Sequence, residues 1–374
     1  MKILLTGATG YIGKRLLPVL VEAGHEVVCC VRDKSRFNPS EAIKQQIQII
    51  QIDLLERESL NKIPNDIDGV YYLVHSMSKS MDYEKLELEC AINLRSALNQ
   101  TNVNHVIYLS GIVNESELSN HLASRKNVEL ELNKGNYNFT SLRAGIIIGS
   151  GSASFEIIRD IAEKLPIMVA PKWLNTKCQP IGISDVISFL SRSIFNSKTF
   201  NNNFDIGGPD ILSYKNMLLE YSRIRGLKRT IIIVPVMTPR LSSYWLYFVT
   251  STSYKLAVAL VNSMKVEVIC RDSTINNILE VNPQSYKEAI ANAFRKIQSN
   301  HVVSSWKDAY SSSGNSHYIT DSINVPTFGC FIDQRKQVFR SKKECIEYIE
   351  LMDKEQLKSI LELYGKDPKQ IKKL

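Results

Sequence analysis

Through the first 150 residues, short apolar runs alternate with longer amphipathic stretches. Lys2–Leu5, Glu26–Val31, Ile47–Ile52, Gly69–Val74, His105–Leu109 and Phe139–Leu142 predict strands. Between them, Ile12–Ala23 puts Ile12, Leu16, Val19, Leu20 and Ala23 on one helical face. Asp82–Asn99 spaces Leu86, Cys90, Leu94 and Ala97 in the same way, and a further helix is predicted over about Ser119–Leu132. Strands alternating with helices predict βαβ units and an α/β, Rossmann-type doubly wound parallel sheet covered on both faces. Right-handed crossovers then put any ligand at the carboxyl ends of the strands.

After Gly149 the pattern loosens. Residues 151–182 mix Gly, Ser and Pro with apolar side chains, Ile183–Phe195 predicts a helix returning to the sheet, and Asn203–Ile206 a further strand. A mostly helical region is expected from Tyr214 to about Gln298. The expected organisation is a dinucleotide-binding domain over 1–150 with a return segment at about 183–209, a smaller substrate-side region over 151–303, and a C-terminal extension over 304–374 ending in a helical tail. Tyr244–Val261 is apolar but interrupted by Lys255 and several Ser and Thr. It reads as core or pocket wall, with interfacial membrane contact as the alternative.

Composition narrows the class. With 44% hydrophobic and 22% charged residues the chain is globular rather than disordered. No apolar run is long enough for a membrane span. The opening Met1–Gly7 is too short an apolar run for a signal peptide, so the cytoplasm is the expected compartment. Seven cysteines form no CxxC pair, which argues against a disulfide framework or a zinc ribbon, and no metal-ligand spacing or GxSxG elbow occurs. The +8 balance is scattered rather than striped, so nucleic acid is not the expected partner and an anionic small molecule is. A monomer or homodimer is expected.

The strongest motif is Thr6-Gly7-Ala8-Thr9-Gly10-Tyr11-Ile12-Gly13, directly after the first strand and opening the first helix. In that context the glycines have separate work: Gly7 makes the tight turn, Gly10 lets the backbone approach a pyrophosphate, and Gly13 lets helix and strand pack closely. The helix N-terminus offers N–H groups to the phosphates. Thr6, Thr9, Tyr11 and Ile12 complete the predicted cofactor turn, with Val74 and His75 at the end of the fourth strand. The second strand ends in Val31-Arg32-Asp33-Lys34-Ser35-Arg36. Arg32 and Arg36 favour the 2′-phosphate of NADP(H), whereas Asp33 turned inward would admit NAD(H). Asp53 is expected at the adenine edge or as a helix cap. Ser76 and Arg143 are candidate substrate contacts; Arg143 binds an anionic group or pairs with a carboxylate such as Asp185. His25 and His105 read as turn or surface residues.

These motifs resemble the short-chain dehydrogenase/reductase superfamily in its extended and atypical branches. The likeness runs in order through Thr6–Gly13, Asp53-Leu54, Val70–Val74, Tyr108-Leu109-Ser110, Leu142–Gly145 with Gly149, Pro180–Val186 and Phe204–Pro209, over about residues 1–300. The chain is most similar to bacterial nucleoside-diphosphate-sugar epimerase-like and NmrA-like proteins through Leu73–Met77, His121–Arg125 and Arg143–Gly149. Trp306, Val325-Pro326 and Gly329 resemble the start of a further domain that often follows in that group. The resemblance implies a catalytic Ser at Ser110 and a Tyr-x-x-x-Lys pair. That pair is replaced by His121-x-x-x-Arg125. Two readings follow. His121, titrating near 6.5 when unperturbed, takes the tyrosine's place as general acid/base, with Arg125 on the cofactor ribose. Alternatively, the site binds NADP(H) without turnover, as a sensor, regulator or assembly factor. The first makes the chain an NADP(H)-dependent oxidoreductase, or an epimerase-like enzyme, acting on a small carbonyl or hydroxyl compound.

Overall fold

The computed structural model describes residues 1–74, 83–113, 120–234 and 264–298. All of these lie in the first of the two units, Met1–Phe331 and Ile332–Leu374, into which the chain divides. The elements run β1 (Lys2–Leu5), α1 (Gly13–Glu22), β2 (Glu26–Val31), α2 (Glu41–Lys44), β3 (Ile47–Gln51), β4 (Gly69–Tyr72), α3 (Tyr83–Leu98), β5 (His105–Gly111), α4 (Asn120–Leu132) and β6 (Asn138–Ala144). They continue with β7 (Ile147–Ile148), α5 (Ala153–Lys164), β8 (Ile167–Pro171), β9 (Lys177–Cys178), β10 (Ile181–Gly182) and α6 (Ile183–Ser193). The remainder is β11 (Asn202–Ile206), β12 (Leu212–Ser213), α7 (Tyr214–Ile224), β13 (Thr230–Val234), α8 (Thr274–Leu279) and α9 (Tyr286–Gln298).

Seven strands form one parallel sheet in the order β3-β2-β1-β4-β5-β6-β11. The order reverses between β1 and β4, the switch point where a doubly wound sheet opens a crevice at its carboxyl edge. The strand period of two divides the core cleanly. Ile3, Leu5, Val27, Cys29, Tyr71, Ile107 and Leu142 face one way and pack with Leu16 and Leu20 of α1 and Val186, Phe189 and Leu190 of α6. Leu4, Val28, Cys30, Val70, Tyr72, Val106, Tyr108 and Phe139 face the other way, against Ala91, Leu94 and Leu98 of α3 and Val128 and Leu132 of α4. A third cluster gathers Phe155, Ile158 and Ile161 of α5, Met217 and Tyr221 of α7, Met168 of β8 and Ile290 of α9.

Two regions differ from the sequence-based expectation. The mostly helical stretch after Tyr214 contains β13, which pairs in parallel with β8 from Thr230↔Ile167 to Val234↔Pro171. A run of β-branched side chains makes a strand here because a partner lies some sixty residues upstream. His105 is not a surface or turn residue: it opens β5 and is fully buried. Its Nδ1 accepts from the Phe195 N–H at 3.0 Å, and its Nε2 lies 2.8 Å from Thr140 Oγ1, which donates in turn to the Thr199 carbonyl at 2.6 Å. A neutral ring donating from Nε2 satisfies all three contacts. Tyr244–Val261, residues 304–374 with the predicted tail, and Trp306 and Val325–Gly329 lie outside the described residues. Among the described residues no helix is long and apolar enough to cross a membrane.

Candidate cofactor and active site

β1 delivers the chain to Gly7 at the switch point. Gly7 has φ +71°, and a Cβ there would stand 2.7 Å from the Leu73 carbonyl oxygen, so glycine is required both by conformation and by space. The Gly10 N–H closes the turn on the Gly7 carbonyl at 2.9 Å. A Cβ on Gly13 would strike the same carbonyl and the Cα of Ala8, so α1 can start this close only with glycine. α1 begins after Ile12 with no side-chain cap and no acidic residue in its first turn, the arrangement an anion needs at a helix N-terminus. The turn thus fits a dinucleotide pyrophosphate.

Thr6 is buried and straps the crevice: its N–H and hydroxyl both donate to the Tyr71 carbonyl, at 3.0 and 2.9 Å, and the hydroxyl accepts from the Leu73 N–H at 3.3 Å. Thr9 is half-exposed on the turn. Ile12 packs on the core under α1. The Tyr11 ring lies under the Arg15 guanidinium, 4.3 Å from the ring centroid, and Arg15 donates to the Ser150 carbonyl at 2.8 Å. Burial pushes the Tyr11 phenol up to about 12. Val74 is half-buried against the α3 side of the core. His75 and Ser76 lie outside the described residues.

At the end of β2, Arg32 and Arg36 are exposed. Asp33 is committed locally: its Oδ1 accepts from the Ser35 N–H at 2.9 Å and the Ser35 hydroxyl at 2.6 Å, and these bonds hold its carboxyl below the usual range. Asp53, after β3, caps a turn by accepting from the Leu55 N–H at 3.0 Å. Burial pushes the Cys90 thiol up to about 12, with Asp53 adding to the rise and Arg32 opposing it. Arg32, Asp53 and the α3 thiol therefore share one neighbourhood.

The second part of the site lies between β5, β6 and α4. Ser110 pairs in register with Arg143, and Tyr108 with Ser141, so all four side chains point to the α4 face. Positions 121, 125 and 129 fall at i, i+4 and i+8 on α4. Arg125 Nη1 donates to the Leu109 carbonyl at 3.5 Å. Glu129 accepts from the Ser141 hydroxyl at 2.6 Å and from Arg143 Nε at 2.9 Å, with Arg143 Nη2 on its other oxygen. This is where Arg143 goes, rather than to Asp185: α6, which carries Asp185, packs with Leu142 and Ala144 on the opposite face of β6. The Ser110 hydroxyl is buried and makes no hydrogen bond of ordinary length. Burial pushes the neighbouring Tyr108 phenol up to about 12, against the pull of Arg125 and Ser110. The side chain of His121 lies outside the described residues; its backbone opens the Arg125–Glu129 stripe.

Tyr108 and Glu129 were absent from the sequence-based site. The alternation 108/110 on β5 and the spacing 125/129 on α4 carry that signal once the strand and helix are paired. Nothing in the sequence links Arg271, whose guanidinium meets Asp205 on β11.

Residues 7–158 match the family model described as NAD(P)H-binding. Among curated proteins, the chain is 23% identical over 227 residues to the divinyl chlorophyllide a 8-vinyl-reductase of Arabidopsis thaliana, covering 56% of this chain and 54% of that one. It is 27% identical over 216 residues to the photosystem II assembly factor Ycf39 of Trieres chinensis, covering 56% and 64%. The chain thus spans about half the length of the plant reductase. Among solved structures, the triphenylmethane reductase of Citrobacter sp., complexed with NADP(H), superposes with a TM-score of 0.63 at 14% identity, over 78% of this chain and all (100%) of that one. Residues 7–158 therefore match an NAD(P)H-binding domain, and the superposition shows that the chain shares the fold of that reductase.

Proposed function

We propose that this protein is an NADP(H)-dependent oxidoreductase acting on a small organic carbonyl or hydroxyl compound, as a monomer or homodimer. The observation that carries the reading is the Gly7–Gly13 turn, locked against Leu73 at the switch point and opening on the same sheet edge as Ser110 and Arg125. Arg32, with Arg36, takes the 2′-phosphate; Asp33 is engaged by Ser35 and so is poorly placed as a ribose ligand for NAD(H). Gly7, Gly10 and Gly13 with the N-terminus of α1 hold the pyrophosphate, Thr6 and Thr9 shape the turn, and Asp53, Val74 and His75 line the rest of the dinucleotide site. Bound NADPH supplies the hydride. The Ser110 hydroxyl, buried beside the Tyr108 phenol, donates to the substrate oxygen. His121 moves the proton, and Arg125, one turn later, holds the cofactor ribose and disfavours a second positive charge on His121. Ser76 is a candidate substrate contact, as is the region 151–303.

A non-catalytic NADP(H)-binding regulator or assembly factor is the second reading. It is favoured by the replacement of Tyr-x-x-x-Lys and by the likeness to Ycf39, an assembly factor. One experiment separates them: the full chain is saturated with NADPH and offered a panel of aldehydes, ketones and enones. The enzyme reading expects NADPH consumption that falls about 10²–10⁴-fold in His121→Phe with NADPH affinity unchanged. Tight NADPH binding without turnover on the whole panel sinks the enzyme reading and leaves the second.

A further inference from the structure

A cavity of about 170 Å³ lies on the α4 face beside Arg143, lined by Val113, Lys126, Glu129, Arg143 and Arg271. Its three cations come from α4, from β6 and from the chain just before α8. The two guanidiniums are held rigidly. Arg143 grips Glu129 through Nε and Nη2, and Arg271 grips Asp205 through Nε at 2.7 Å and Nη2 at 2.9 Å. Each bidentate pair engages two of the five N–H donors of its guanidinium and leaves the others available. Their carboxylate anchors are nearly sealed from solvent, with Glu129 6% and Asp205 1% exposed at the side chain. Lys126 is exposed and makes no ion pair among the described residues. The lining itself carries three cations and one carboxylate, Glu129; Asp205, paired to Arg271, and the adjacent Asp272 offset part of that excess. The volume equals that of a few water molecules at about 30 Å³ each, room for one carboxylate or phosphate group. Arg143 is also the register partner of Ser110, so a group held here sits one strand from that hydroxyl.

We propose that the Lys126–Arg143–Arg271 cavity binds a carboxylate or phosphate group of the substrate, and so selects an anionic carbonyl or hydroxyl compound. The inference rests on the oxidoreductase reading for the word substrate, but the anion site itself does not. The test titrates the full chain calorimetrically with sodium phosphate and, separately, sodium acetate at low ionic strength, with and without saturating NADP⁺. Saturating NADP⁺ fills the dinucleotide phosphate cradle, so anion binding that survives it belongs elsewhere. Lys126→Gln removes an unpaired surface cation without threatening the fold and is expected to weaken the retained binding about tenfold, the size of one charge-assisted hydrogen bond at its lower limit. Arg271→Gln, checked for folding by circular dichroism, is expected to do the same, and Arg32→Ala to change nothing. Saturation by phosphate alone assigns a phosphate ester, and saturation by acetate alone a carboxylate. A wild type that binds neither anion, or a Lys126→Gln protein that binds as well as wild type, overturns the proposal. If NADP⁺ fails to bind while the Lys126-dependent anion site persists, the cofactor reading falls and this one stands.

Discussion

Three side chains concentrate the physical chemistry of this molecule. His105 is buried and neutral, and burial lowers its pKa to about 4. The unfolded chain takes up a proton near 6.5 that the folded chain refuses until about 4, so in that window the unfolded state binds more protons and stability rises with pH. The contribution is complete above 6.5 and is lost as pH falls toward 4, a total of about 3 kcal/mol at roughly 1.4 kcal/mol per unit. Urea denaturation across pH 4–7 measures the slope, and His105→Gln is expected to flatten it even though it also destabilises. Glu129 is the acceptor for both Ser141 and Arg143. Glu129→Ala strands a guanidinium only 13% exposed and is expected to cost about 3–5 kcal/mol, read as a lowered thermal midpoint. Arg32→Ala is expected to weaken NADPH by about 10- to 150-fold and leave NADH nearly unchanged, since NADH lacks the 2′-phosphate. Paired fluorescence titrations decide it: a wild type binding both cofactors equally would remove Arg32 from the role.

At the scale of elements, the β1–turn–α1 unit depends on close backbone approach. Gly7→Ala combines a left-handed residue with a Cβ 2.7 Å from the Leu73 carbonyl. The expected penalty is about 1–3 kcal/mol, and relief requires the β1 and β4 loops to part. NADPH affinity is therefore expected to fall more steeply than stability; an unchanged dissociation constant would mean the turn does not hold the cofactor. The strand–helix alternation over 1–150 was legible in the sequence because periods of 2 and 3.6 are local properties. β13 was not, because the four-residue apolar run Ile231–Val234 has no period to distinguish it until β8 supplies a ladder.

At the scale of the whole molecule, the chain divides into two units, Met1–Phe331 and Ile332–Leu374. Every residue assigned to the cofactor and catalytic site precedes residue 150. Deleting 342–374 is therefore expected to leave NADPH binding intact. The spacing of Ile346, Ile349, Leu357, Ile360 and Leu361 among Lys and Glu leads to the further expectation of a lower thermal midpoint or a changed mass in solution. Scanning calorimetry and light scattering check both, and no change in either would make the tail a free appendage.

The sequence by itself determined the sheet class, the position of the glycine turn after β1 and the absence of a Tyr-x-x-x-Lys pair at 121–125, because alternation, glycine sterics and residue identity are properties of contiguous residues. It also marked Ser110, Arg125 and Arg143 individually. Only the tertiary structure decided what these residues meet. Glu129, rather than Asp185, holds Arg143 because β6 turns residue 143 toward α4 and away from α6. His105 is core rather than surface because Phe195, Thr140 and Thr199 converge on it from distant segments. Arg271 joins Lys126 and Arg143 around one cavity although well over a hundred residues separate it from either. Burial and ion pairing are sums over such distant partners, so they exist only once the chain has folded.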